Sequence, residues 1–250
     1  MTLAGPKFSL AVVILHYGKP ALTERLYSQL LDSDPQWREH LFVLDNHAPE
    51  PWLNAWERTM HNLYWAGALQ HTLERMSQAG YSHVWFLNND LWFDSEPPHI
   101  KRAWTRHQRI SRREGRVGVY APSVGRSPYH PQMMQREGYQ YRVAPYVDGI
   151  APLIDLDCWR ALGGVDLEGN EYGYGVDLWF SLSAHRAGWS VVVDHQVAVR
   201  HIYHSTARKE PGFLEMAARA EAVYLRTRLG SDYKEEIDRL AQQCRDEEEI

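Results

Sequence analysis

Apolar side chains along this chain come in short runs separated by stretches of helical period. "LAVVIL" (10–15) is a continuous apolar run closed by Gly18 and Pro20, as in a strand buried on both faces. "ALTERLYSQLL" follows, with Leu22, Leu26 and Leu30 at the spacing of one helix face. "LFVLDN" predicts a second strand, ending at Asp45 and Asn46. "GALQHTLERMSQAG" predicts a helix stopped by Gly80, and "SHVWFLNND" a third strand. Apolar strands of this length alternating with helices predict an α/β fold, a mostly parallel central sheet with helices on both faces.

Beyond residue 94 the pattern loosens. "KRAWTRHQRISRREGR" (101–116) reads as a basic helix or loop with a solvated face. "VGVYAP" is a strand, and residues 123–146, rich in Pro, Tyr and Met without a period, suit a loop lining a cleft. "VDGIAPLIDLDCWRALGG" gives a strand and a short helix, and "VDLWFSLSAHRAG" a helix stopped by Gly188. "WSVVVD" and "QVAVRH" read as two more strands. From Glu210 the chain reads as an amphipathic, charge-rich helical tail. No linker-like composition divides it, so a single domain is expected.

Polar residues stand just past the C-terminal ends of the first three strands: His16-Tyr17, Asp45-Asn46 and Asn88-Asn89-Asp90. In an open parallel sheet that edge is where ligands bind. No GxGxxG or GxxxxGK[ST] follows the first strand, which removes the main support for an ordinary dinucleotide or P-loop site.

Composition narrows the classes. The 250 residues are 44% hydrophobic and 24% charged, as in a folded protein, and 10 Trp and 14 Tyr supply both core and surfaces on which sugars or bases stack. A net charge of -5 without a Lys/Arg run disfavours duplex nucleic acid. Cys158 and Cys244 form neither a disulfide framework nor a zinc spacing, which fits a reducing compartment. The N-terminus lacks signal-peptide shape, and no apolar run approaches the roughly 18 residues that span a bilayer. The expectation is a cytoplasmic protein, soluble or peripheral to the inner face of a membrane. The tail from Glu210 is a candidate for pairing with a second copy in a homodimer. Its acidic end "DEEEI" argues against contact with anionic lipid.

Taken in order, these segments resemble the GT-A fold nucleotide-sugar glycosyltransferases, and within them inverting family 2, in its rhamnosyl- and galactosyltransferase-like branch. "VVILHYG" stands where that family has "VVIVNYN", "LFVLDNHAP" where it has "VVVDNAS", and "NLYWAGALQ" where it has "NLGFAGGNN". "FLNND" matches "LLNDD", and "DGIAPLIDLDCWRALGGVDL" matches "SGAALLIRREAFEEVGGFDE". "YGVDLWFSLSAHRAGW" and "VAVRH" match "EDVDLCLRLRRAGY" and "ARVWH". The likeness runs from about residue 9 to residue 201. It implies a nucleotide-binding half at about 9–122, an acceptor and metal half at about 123–205 and the tail at about 206–250.

The resemblance also implies roles. Asp90, last residue of a DxD-like motif, would bind Mn²⁺ or Mg²⁺, with Asn88 and Asn89 beside it, Asn88 bonding the ribose or a metal-bound water. A divalent cation there stabilises a departing diphosphate. Asp45, with Asn46, would accept hydrogen bonds from the base or ribose, and His16 would offer a backbone contact to the base. His201 would complete the metal shell, with His204 the alternative, because strand alternation sets the two on opposite faces. Arg200, Arg208 and Lys209 stand near enough in sequence to cover the diphosphate. Asp148, before Gly149, would hold a donor-sugar hydroxyl.

Inverting transfer needs a carboxylate to take the acceptor hydroxyl's proton. The family's Glu-Asp pair is replaced here by Tyr174 and Gly175, so Asp177 is the candidate base and Glu171 the alternate. Trp65, also a candidate for binding the donor, stands with Tyr172, Tyr174 and Trp179 as a candidate for an acceptor platform. The donor would be a UDP-, GDP- or dTDP-linked sugar and the acceptor a hydroxyl of a glycan or glycolipid. Two other readings are an inactive sugar-nucleotide-binding protein on the same fold and a sugar nucleotidyltransferase. The latter wants a Gly-rich basic loop, where "HYGKPALTER" offers only Gly18 and Lys19.

Overall fold

The structure, a computed structural model, describes residues 9–203 and 207–250. β1 (Leu10–His16) is buried along its whole length, as its unbroken apolar run requires. It pairs in parallel with β2 (Leu41–Asp45) and β4 (His83–Asn88), so Leu15, Asp45 and Asn88 end together at one edge of the sheet. α1 (Pro20–Ser33) begins on a proline, whose missing N–H costs nothing at a first helical turn, and buries Thr23, Leu26 and Leu30. β3 (Glu57–Arg58) extends the sheet in parallel beyond β2. α2 (Tyr64–Gln78) buries Ala66, Leu69, Leu73 and Met76, the 3- and 4-residue spacing of one helix face.

β5 (Leu91–Phe93) leaves the end of β4 and pairs antiparallel with β9 (Ser190–His201). The basic stretch is a helix, α3 (His99–Glu114), burying Ile100, Ala103, His107 and Ile110. Its polar side is not wholly solvated. Arg106 Nε donates to both oxygens of the buried Asp194, at 3.0 and 2.7 Å. β6 (Val117–Val124), β7 (Tyr141–Val143) and β8 (Leu153–Asp155) complete the middle of the sheet, and α4 (Leu156–Ala161) follows, its N-terminus capped by Asp155. α5 (Val176–Arg186), α6 (Phe213–Leu229), α7 (Tyr233–Ala241) and β10 (Arg245–Glu247) close the chain.

The strand order is β10-β7-β9-β6-β8-β4-β1-β2-β3, with β5 on β9. The sheet is mixed. β1, β2, β3 and β4 are mutually parallel, as are β6 and β9, but β8 runs antiparallel between β4 and β6. α1 and α3 contact each other on one face, and α2 and α4 on the other. The two strands expected in "WSVVVD" and "QVAVRH" are one, bent by a bulge where the register passes from Pro122↔Asp194 to Ser123↔Ala198. The segment expected as a cleft loop contributes the end of β6, a 3₁₀ turn at Pro131–Met133 and β7, with Tyr129 and His130 facing the cleft.

The acidic end is not a free tail. β10 pairs antiparallel with β7, and Arg142 donates to Asp246 from Nε (2.8 Å) and Nη2 (3.0 Å). Arg136 and His195 also reach Asp246.

Candidate active site

The C-terminal ends of β1 and β4 open into a cleft of about 1010 Å³, bounded on its far side by the loops before α5 and by α6. β4 stops at Asn88, the chain turns through Asn89 and Asp90, and β5 begins at Leu91. Leu91 pairs with His201, and Ile202 N–H donates to the Asp90 carbonyl at 3.1 Å. That ladder brings the Asp90 carboxylate to His201, with Oδ1 2.9 Å from Nε2. His201 Nδ1 is buried and has no hydrogen-bond partner among the described residues, while its ring lies edge-on to Tyr203 at 4.6 Å. His204, the alternative ligand, and the Lys209 side chain fall outside the described residues.

Several residues expected to bind donor are engaged elsewhere. Asp45 is fully buried and does not line the cleft. Its oxygens accept from Ala48 N–H (2.8 Å), Trp52 N–H (3.0 Å) and Arg58 Nη1 (2.6 Å), so it holds the loop after β2 rather than a ligand. His16 is likewise internal. Its Nε2–H donates to the Glu50 carbonyl at 2.8 Å, its Nδ1 meets Thr23 Oγ1 at 2.7 Å, and Asn89 donates to the same hydroxyl at 3.0 Å. Asn46 does face the cleft. It also bonds Asn62, Leu63 and Tyr64 and so fixes the start of α2, where Tyr64 stands at φ 52°. Asn88 accepts from Trp65 Nε1 at 3.1 Å, which sets the indole across the cleft floor.

On the other side, Glu171 is exposed and outside the cleft. Trp179 also lies outside it, with the Arg186 guanidinium 5.6 Å from its ring. Arg200 pairs with Asp94 at 3.0 Å, whereas Arg208 lines the cleft. Tyr64, Tyr172 and Tyr174 gather around Phe213 of α6, with ring centroids 5.9, 5.8 and 6.2 Å from it. The aromatic wall therefore shares Tyr172 and Tyr174 with the expectation and adds Tyr64 and Phe213.

The inner end of the cleft is acidic. Gly149 N–H donates to Asp177 Oδ2 at 2.6 Å in the first turn of α5, and Asp148 stands next to it. Gly149 has to be glycine: a Cβ there would lie 2.5 Å from Trp65 Cζ2 and 3.0 Å from Asp177 Cβ. Burial and the Asp148 carboxylate push Asp177 up to about 6. Glu221, from α6, joins them and is raised to about 7 by burial and by Asp177. Tyr174, which also lines the cleft, is pushed to about 12 by burial, then by Glu221, Tyr129, Asp177 and Asp90. Sequence reasoning missed Glu221 because the charge-rich helical period around it reads as a solvated face.

No protein-family profile matches the chain. Over 219 residues it is 28% identical to the Uncharacterized protein Rv1525 of Mycobacterium tuberculosis (strain ATCC 25618 / H37Rv), covering 83% of this chain and 79% of the relative. The Uncharacterized protein Mb1552 of Mycobacterium bovis (strain ATCC BAA-935 / AF2122/97) matches to the same extent. Among solved structures, GalNAc-T7 with UDP, GalNAc and Mn²⁺ superposes with a TM-score of 0.60 at 13% identity, over 91% of this chain. This chain spans only 49% of that one. The mannosyltransferase PcManGT from Pyrobaculum calidifontis, in complex with GDP-Man and Mn²⁺, gives 0.53 at 13% identity, over 87% of this chain and 70% of that one. The fold is GT-A.

On a GT-A sheet, Asp90 and His201 offer a carboxylate oxygen and an imidazole nitrogen side by side at the cleft wall. That donor pair suits Mn²⁺. Among the described residues no group of three or more His, Cys, Asp or Glu side chains is placed to hold an ion. The pair therefore fits an ion whose shell is completed by substrate oxygens and water, as Mg²⁺ and Mn²⁺ shells commonly are in phosphate sites.

Proposed function

We propose that this protein is a metal-dependent glycosyltransferase that moves a sugar from a nucleotide-diphosphate sugar to a hydroxyl acceptor with inversion. The observation that carries the reading is the Asp90–His201 pair, 2.9 Å apart, on the wall of a GT-A cleft that the carboxylates Asp148, Asp177 and Glu221 also line. Both solved neighbours contain Mn²⁺, one with UDP and one with GDP-Man, which supports a nucleotide-diphosphate donor for the same cleft. The order of motifs from "VVILHYG" to "VAVRH" supports the rhamnosyl- and galactosyltransferase-like branch.

Asp90 and His201 would hold the ion, which supplies Lewis-acid stabilisation of the departing diphosphate. Asn88 fixes Trp65 across the floor, and Arg208 brings a positive charge to the cleft. The space of about 1010 Å³ is at the top of the range for single-ligand sites, which leaves room for an acceptor beside the donor. The acceptor's proton goes to the acidic group formed by Asp148, Asp177 and Glu221. Retention of that group speaks against an inactive binding protein. Glu171, outside the cleft, is not placed to serve as base.

The test is a thermal-shift screen of UDP-, GDP- and dTDP-sugars with and without Mn²⁺, on native protein and Asp90→Ala. A donor at 100 times its Kd adds roughly 2.7 kcal/mol of stability. A Mn²⁺-dependent shift with one nucleotide class, lost in Asp90→Ala, is the expected outcome. No shift with any nucleotide would reject the transferase reading.

A further inference from the structure

α6 is docked firmly enough to place a reacting group. Tyr224 O–H donates to the Asp166 carbonyl at 2.8 Å, and Arg228 Nε and Nη2 reach Asp166 Oδ2 at 2.9 and 2.6 Å. Its inner face lies against the turn that starts α5. A Cβ at Gly175, whose φ is +76°, would lie 3.1 Å from Glu221 Cγ and 3.2 Å from Leu225 Cδ1. Glu221 is thereby held beside Asp177, two residues after Gly175, and both line the cleft with Asp148 and His130. The two carboxylates differ in what they already do. Asp177 receives the Gly149 N–H at 2.6 Å, whereas among the described residues no donor bonds the Glu221 carboxylate.

We propose that Glu221 is the catalytic base of the transfer reaction, and that Asp177 is a positioning residue that holds Gly149 and, through it, the cleft floor under Trp65. The inference rests on the glycosyltransferase reading given above. In the step, the acceptor O–H proton passes to Glu221 as the acceptor oxygen bonds the anomeric carbon. The bond from that carbon to the phosphate oxygen breaks, and its electron pair leaves with the diphosphate. Glu221 then loses the proton to solvent.

The surroundings suit the task. Burial is the largest influence on Glu221, Asp177 of α5 and Asp148 add to it, and His130 and Lys234 of α7 oppose it. The balance, about 7, is near the optimum for a base working at neutral pH, while Asp177 at about 6 stays mostly ionised there.

The experiment follows nucleoside diphosphate release from whichever of UDP-glucose, UDP-galactose, GDP-mannose or dTDP-rhamnose gives the Mn²⁺-dependent thermal shift. Water serves as acceptor, and rates are taken from about pH 5 to about pH 9. For the native protein the rate rises through about pH 7 to a plateau, because the base must be unprotonated. Glu221→Gln keeps the donor-induced shift, loses about 10²- to 10⁴-fold in rate and loses that rise. Asp177→Asn keeps a rise but moves it to lower pH, since one of the charges that raises Glu221 is gone.

Glu221→Gln with a rate within about threefold of native, or with the rise intact, overturns the base. Should Glu221→Gln not fold, Glu221→Asp decides. A reduced rate with the rise retained supports the proposal, and a native rate overturns it. Native protein that binds donor yet releases no diphosphate also overturns the base. Native protein that binds no nucleotide rejects the transferase reading itself, a different and recognisable failure.

Discussion

Asp90 reaches His201 because β5 turns back from β4 and pairs with the last residues of β9, Leu91 opposite His201. Two groups far apart in sequence thus meet through backbone pairing, and neither depends on a flexible loop to find the other. Asp90→Ala and His201→Ala are each expected to abolish the Mn²⁺-dependent part of donor binding while leaving the melting temperature without ligand nearly unchanged. Chelation by EDTA should reproduce the same loss in native protein, read by calorimetry of nucleoside diphosphate binding.

Asp45 should behave in the opposite way. Asp45→Ala strands Arg58 Nη1 and two backbone N–H groups around a fully buried carboxylate. A loss of about 3 kcal/mol in urea unfolding is expected, discounted for the partial exposure of Arg58. A variant as stable as native but unable to bind nucleotide would show that the carboxylate faces ligand after all.

Gly149→Ala would put a methyl group within 2.5 Å of Trp65 Cζ2, so the indole or the α5 terminus must move. A displacement of about 1 Å at the reacting groups costs on the order of 10²-fold in rate. The expected result is a large fall in kcat with a folded, donor-binding protein, measured by diphosphate release and thermal shift together.

Stability should fall in acid below neutral pH, and His107 is a main cause. Burial, with the adjacent His83, lowers it to about 3, and its ring stacks on Trp104 at 5.3 Å. The folded protein holds the neutral ring while the unfolded chain, with an ordinary histidine near 6.5, takes up a proton. Unfolding therefore becomes easier as pH falls from about 6.5 towards about 3, by up to about 1.4 kcal/mol per pH unit. His107→Phe should flatten that slope in urea titrations between pH 4 and pH 7, the window about the ordinary histidine value. An unchanged slope would assign it to other groups.

What could be read in the sequence was what repeats or what breaks a pattern. The apolar runs of β1, β2 and β4 and the polar residues at their ends mark the sheet and its binding edge, because alternation and burial leave a periodic trace. Asp90, Asp148, Gly149 and Asp177 line the cleft. Asp45 did not, since an aspartate ending a strand looks the same whether it caps a loop or holds a ligand. Glu221 and Phe213 were invisible for a related reason. A helix whose polar side faces a cavity has the same composition as one whose polar side faces water, and only the packing of α6 on Gly175 separates the two. β10 was hidden because "RDE" has no strand propensity of its own. It forms where Arg142 and Arg136 bind Asp246, so tertiary charge pairing outweighs local preference.

The two outer strands of the sheet are β3, two residues long, and β10, three residues long, and each carries charged side chains: Glu57 and Arg58 on one, Arg245, Asp246 and Glu247 on the other. Long apolar borders invite strands from other molecules, and short charged ones discourage them. The acidic ending that looks like a dispensable flourish therefore acts as a hem. It seals the β7 side against fibril-like growth and leaves association, where it happens, to the helical surfaces.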